Sequence, residues 1–114
     1  MGETENAMEL LIMNLLMKSG DAKSLAMEAI QCARAGQVAE AKEKIAQAEE
    51  ALNEAHNAQS GLMAREAGGE KFASGMLLNH SQDHLMGAIT TLDLAKEIVM
   101  LWEFVRESKG ENRE

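Results

Sequence analysis

The chain has 114 residues, 11 Lys plus Arg against 19 Asp plus Glu, a formal charge of −8, one cysteine and no proline. That length bounds it to one domain with a modest core. The charge argues against a nucleic-acid partner, whose phosphates it would repel, and the lone Cys32 excludes an internal disulfide and fits a reducing compartment. Abundant Ala, Leu, Met, Glu and Lys favour helix along nearly the whole length.

The start, Met1-Gly2-Glu3-Thr4-Glu5, is acidic and does not resemble a secretory leader. Leu10–Met17 is the longest nearly apolar run; it holds Asn14 and is too short to span a bilayer, so a cytoplasmic protein is expected. The first segment, Thr4–Ala35, places Met8, Leu11, Leu15, Ala22, Leu25, Ala29 and Cys32 on a bundle seam that breaks at Lys18. Gly20-Asp21 could kink it, and Gly36 ends it. The second segment, Gln37–Ala67, repeats the pattern with Val38, Ala41, Ile45, Ala48, Leu52, Ala55 and Leu62, interrupted by Gln59. The clearest loop follows, from Gly68-Gly69 to Gly75. The third segment is Gly75–Glu107. Short connections make neighbouring helices antiparallel, so the expected fold is all-α: an up-down-up three-helix bundle occupying 1–114 as a single domain. The polar ends, Met1–Glu3 and Lys109–Glu114, are expected to fray.

The third segment carries more apolar surface than such a bundle needs. One seam is Leu78, Leu85, Ala88, Leu92, Ala95, Val99 and Trp102; a second is His80, His84, Gly87, Thr91, Leu94, Ile98, Leu101 and Val105. At about 100° per residue the two stripes together cover about 220° of the helix. The surplus predicts burial against other copies of the chain. The alternatives are a broad core helix or an interface with a different protein.

The most chemically capable residues lie at the start of this segment, in His80-Ser81-Gln82-Asp83-His84. Residues three and four apart share a helix face, so both imidazoles and the carboxylate stand within one turn. His80 has three readings: a satisfied interface histidine; one of two i,i+4 ligands, with His84, for a transition metal; or a nucleophile toward phosphorus, since a neutral imidazole attacks and leaves readily near pH 7. The run lacks the Glu of a zinc-protease motif and shows no third ligand. Gln82 and His84 offer N–H donors to a phosphoryl group, and the nearby helix N-terminus favours an anion. Asp83 falls beside the surplus stripe. Were an oligomer axis to follow that stripe, carboxylates about 4 Å apart would repel by roughly 4 kcal/mol per pair at an effective dielectric of 20. A ring of three would cost on the order of 10 kcal/mol unless protons or a cation offset it. Carboxylate oxygens completed by water suit Mg²⁺. The alternative for Asp83 is a carboxylate stabilised near a helix N-terminus by the dipole.

The run His80-Ser81-Gln82-Asp83-His84-Leu85-Met86 resembles the active-site motif of the lactose/cellobiose-type IIA proteins of the bacterial sugar phosphotransferase system. A second stretch, Ala55-His56-Asn57-Ala58-Gln59-Ser60-Gly61-Leu62-Met63-Ala64-Arg65-Glu66-Ala67-Gly68-Gly69-Glu70, and a shorter one, Ser19-Gly20-Asp21-Ala22-Lys23-Ser24, are similar in the same order. The resemblance runs from about Glu9 to Trp102. It implies a homotrimer in which His80 carries a phosphoryl group at Nε2, with Gln82 and His84 in supporting roles. It also implies that the three copies of Asp83 share one divalent cation, usually assigned as Mg²⁺. The implied donor is the phosphocarrier HPr. The implied acceptor is a cysteine of the cognate IIB, which serves uptake and phosphorylation of a disaccharide through the IIC membrane domain. His56 is expected to be structural, and Arg65 and Glu66 to set the end of the second helix and its loop. Met76, Leu77 and Leu78 are candidate contacts of the docking face. Two other classes remain at this point: a metal-binding bundle using His80, Asp83 and His84, and an adaptor whose only function is assembly.

Overall fold

A computed structural model describes residues 2–71 and 75–112. Three helices, α1 (Gly2–Arg34), α2 (Val38–Ala67) and α3 (Gly75–Asn112), pack side by side into a rod of 69 × 19 × 17 Å. The described residues contain no strand.

The heptad pattern explains the packing, with one refinement. On α1 the buried residues are Met8, Ile12, Leu15, Ser19, Ala22, Ala26, Ala29 and Ala33, an unbroken alternation of four and three. Leu11, Leu25 and Cys32, expected on the seam, are only half-buried beside it. The apparent break at Lys18 is closed by the small Ser19, whose side chain is fully buried. Gly20 does not break the helix: α1 runs unbroken from Gly2 to Arg34. The same substitution of small for large operates on α2, where Ala58 is buried next to the interrupting Gln59. On α3 the seam Leu85, Ala88, Leu92, Ala95 and Val99 is buried as expected, and Ser81 extends it one turn toward the N-terminus.

The core changes character along the rod. At one end Met8, Ile12, Leu15, Leu62 and Leu85 form a bulky layer with Ala55 and Ala58. Further along, Ala22, Ala51 and Ala88 form one layer and Ala26, Ala48, Leu92 and Ala95 the next, small side chains that let the backbones approach closely. Ion pairs rim the contacts: Lys18 meets Glu54 at 2.9 Å, Lys44 meets Glu28 at 3.5 Å and Lys42 meets Glu103 at 2.6 Å.

Both turns use glycine where the backbone requires it. Gly36 has φ +89°, a conformation that a side chain would strain, and the Arg106 guanidinium lies 3.0 Å from where its Cβ would be, so a side chain there would also push that guanidinium aside. Arg106 also donates to the Arg34 carbonyl at 3.0 Å, satisfying an acceptor at the end of α1. Gly69 has φ +98° after α2. Arg65 reaches across that turn to Glu70 at 3.1 Å, in keeping with the loop-setting role expected of it. Part of the expected Gly68–Gly75 loop, residues 72–74, lies outside the described residues, as do Met1 and residues 113–114 of the polar ends. α3 is helical through Lys109 to Asn112.

Candidate functional site

Ser81 fixes how the start of α3 faces the bundle. It is fully buried; its hydroxyl donates to the Leu77 carbonyl at 2.9 Å and lies 3.5 Å from the Ile12 carbonyl of α1. With Ser81 and Leu85 turned inward, the helical period directs the flanking residues 80, 83, 84 and 87 toward one outer face. His80 and Asp83 are exposed there and His84 is half-buried.

The two imidazoles touch. Nε2 of His84 lies 3.2 Å from Nε2 of His80, with the rings edge to face at 76° and centroids 4.5 Å apart. At that distance one Nε2 donates and the other accepts, with the roles set by the tautomers of the two rings. When His84 donates, its N–H points at the lone pair of His80 Nε2 and the proton of His80 sits on Nδ1; that lone pair becomes available outward once the contact opens.

Two shallow concavities meet at His80. One, of about 230 Å³, is lined by Lys23, His80, Asp83, His84 and Gly87. The other, of about 520 Å³, is lined by Gly75, Met76, Asn79, His80 and Asp83. Neither is enclosed. Gly87 leaves the floor of the first open, since nothing lies within 4 Å of where its Cβ would be. Met76 and Leu77 are exposed beside the second, whereas Leu78 packs against the bulky core layer.

The sequence-expected site is thus partly assembled within one chain. His80, Asp83 and His84 come together. Gln82 instead faces α2, where its Oε1 accepts from Nε2 of Gln59 at 3.4 Å. His56 is exposed on α2. The structure adds Lys23, 57 positions before His80, which the sequence pattern left without a role. Its signal was present in the Ser19–Ser24 stretch, but only packing of α1 against α3 brings it to the imidazoles. Among the described residues no three His, Cys, Asp or Glu side chains of one chain are grouped to hold a metal ion. No helix among them is long and apolar enough to cross a membrane.

The histidine pair thus lies on the open surface of a three-helix rod and not in an enclosed cavity. Residues 10–103 match the family described as PTS system, lactose/cellobiose-specific IIA subunit. The lichenan-specific phosphotransferase enzyme IIA component of Bacillus subtilis is 44% identical over 103 residues, covering 90% of this chain and 94% of that protein. The crystal structure of the cellobiose-specific enzyme IIA from Bacillus anthracis superposes with a TM-score of 0.83 at 46% identity, covering 88% of this chain and 92% of the other. The IIA(chitobiose) structure, solved in complex with HPr from Escherichia coli, gives a TM-score of 0.75 at 37% identity, with 87% and 96% covered. The chain belongs to the lactose/cellobiose-specific IIA subunits of the phosphotransferase system.

Proposed function

We propose that this chain is a phosphoryl carrier that accepts phosphate on Nε2 of His80 from phospho-HPr and passes it to the cysteine of a cognate IIB. The observation that carries this reading is the exposed His80 imidazole, its Nε2 held 3.2 Å from Nε2 of His84 on an open surface. The HPr partnership of the chitobiose relative supports HPr as donor here.

The His80 lone pair attacks phosphorus in line, forming an N–P bond, while the bond from phosphorus to the donor breaks and its electron pair returns to the donor. The second transfer reverses the roles: the IIB thiolate forms the S–P bond and His80 leaves with its lone pair restored. Positioning and charge stabilisation supply the catalysis. His84 acts at two stages. In the resting pair its Nε2–H sets the tautomer of His80; once the lone pair is committed to phosphorus, the same N–H is free to donate to a phosphoryl oxygen. Gln82, turned toward Gln59, supports the reaction by anchoring the start of α3 against α2.

The finer architecture belongs to the same proposal. The helices run up, down and up: Lys18 pairs with Glu54 while Glu28 pairs with Lys44, an order that supports an antiparallel course of α1 and α2. Residues 1–114 form one domain. Three copies assemble along the outer stripe of α3, where Leu94 and Leu101 are left 57% and 59% exposed by a single chain. That assembly gathers three Asp83 carboxylates. Among the residues lining this site one chain offers only the Asp83 carboxylate, too few for a cation, but three hard oxygen donors with water fit Mg²⁺. The ion would offset the mutual repulsion of the three carboxylates. The protein works in the cytoplasm, where its acidic surface steers a basic HPr. The relatives are named for lichenan, cellobiose and chitobiose, and in this relay the IIA component never touches the sugar.

The test is incorporation of ³²P from phosphoenolpyruvate through the general phosphotransfer proteins. Acid-labile, base-stable label is expected on the wild type and none on His80→Ala. A wild-type protein that stays unlabelled in the complete relay, or a His80→Ala variant that labels normally, would overturn the assignment. Tight Zn²⁺ binding lost on His84→Ala would favour a metal-binding bundle instead.

A further inference from the structure

The concavity over His80 contains one permanent cation, and it comes from a different helix. Lys23 of α1 lines the same 230 Å³ space as His80, Asp83 and His84. Lys18, Lys42, Lys44 and Lys96 are each tied to a glutamate, but Lys23 makes no ion pair among the described residues. Its place is fixed by small buried neighbours: Ser19, Ala22 and Ala26 are fully buried in the α1 seam, which leaves Lys23 on the rim facing Gly87 of α3. Gly87 lacks the side chain that would separate them, and nothing else fills that space within 4 Å of its Cβ position.

The chemistry needs such a group. A phosphoryl group on His80 brings close to two negative charges beside the Asp83 carboxylate, in a chain whose net charge is already −8. Imidazole and amide N–H groups can donate hydrogen bonds to the phosphoryl oxygens, but as neutral donors they carry no compensating charge. A lysine ammonium is a compact, mobile point charge with three donors on a flexible stem, suited to following phosphoryl oxygens that arrive and depart.

We propose that Lys23 is the phosphate-binding cation of this site: its ammonium pairs with the oxygens of the phosphoryl group on His80 and stabilises both the transfer state and the phosphohistidine. This rests on the carrier reading of His80. During transfer the proton stays on Nζ; only the bonds to phosphorus change, one forming at His80 Nε2 and one breaking to the donor, and Lys23 neutralises the equatorial oxygens throughout. In the unmodified protein the same lysine and Asp83 line one concavity, so opposite charges share the site.

The experiment compares wild type, Lys23→Met and Lys23→Arg, each checked for unchanged helicity and sedimentation. Loss of a charge-assisted contact should slow phosphoryl uptake from phospho-HPr by about tenfold in Lys23→Met, and Lys23→Arg should recover most of that rate. In ³¹P spectra of the phosphorylated protein, Lys23→Met should move the last ionisation of the phosphoryl group upward by about half a unit, because the cation favours the dianion. A merely structural lysine would leave that titration where it is. A labelled Lys23→Met protein with wild-type rate and titration overturns the assignment of Lys23 alone. So does a Lys23→Arg variant as slow as Lys23→Met, since charge would then not be the cause. A wild type that takes no phosphate overturns the carrier reading and this one together.

Discussion

Replacing Leu94 and Leu101 together by alanine separates what one chain needs from what an assembly needs. In a single chain both side chains are more than half exposed, 57% and 59%. Exposed truncations of this kind change monomer stability by no more than about 0.5 kcal/mol each. Burying a whole leucine is worth about 1.5–3 kcal/mol, so the exposed part of each still has about 1 kcal/mol to contribute to an interface. Two side chains from each of three chains make about 6 kcal/mol, a shift of roughly four orders of magnitude in the dissociation constant of a trimer. Sedimentation velocity over roughly 1–100 μM should show wild-type trimer and a double variant displaced toward monomer, whose melting temperature loses the concentration dependence expected of the trimer. Far-ultraviolet circular dichroism should show the helices intact. A wild type that sediments as monomer throughout, or a double variant that sediments like wild type, would refute the assignment of the α3 stripe to assembly.

Three further outcomes follow from the same structure. Leu85→Ala empties a position only 1% exposed in the bulky layer beneath His84, and should cost roughly 3 kcal/mol, or about 12 °C in Tm, measured by thermal melting; a shift under a few degrees would mean the layer collapses around the gap. Asp83→Leu removes the repelling carboxylates, so the trimer should persist by sedimentation while heat of Mg²⁺ binding disappears from calorimetry; retained Mg²⁺ binding would place the ion elsewhere. Glu54, by hydrogen bond and charge, holds the Lys18 ammonium above its ordinary value of 10.5. Because the folded value is the raised one, this pair stabilises fully below the ordinary lysine value and its contribution is lost as pH climbs through the folded value. Melting curves of wild type and Glu54→Gln should therefore differ by a constant amount near neutrality and converge as the pH climbs through the raised Lys18 value; a gap that persists beyond it would exclude the ion pair as its source.

How far the sequence reached can be judged residue by residue. The α3 seam from Leu85 to Val99 followed directly from spacing, because large apolar groups at helical period have one low-energy destination. On α1 the same logic chose Leu11, Leu25 and Cys32 over Ile12, Ala26 and Ala33. Hydrophobicity ranks size, while a tightly packed three-helix rod selects the alanine and serine that let backbones approach, and pushes the larger side chains to the flanks. Ser19 and Ser81 were illegible for that reason: a hydroxyl looks like surface until the helix geometry buries it.

Local order of the chain alone determined three helices, the two glycine turns and the cluster of His80, Asp83 and His84 on one face, since each depends on contacts within a turn or two. Only the tertiary structure decided that Gln82 turns away toward Gln59 and that Lys23 arrives beside the two imidazoles from α1. Those outcomes depend on the rotation and axial offset of one helix against another, which are set by the summed packing of the buried seams and leave no mark in the spacing of the residues they bring together.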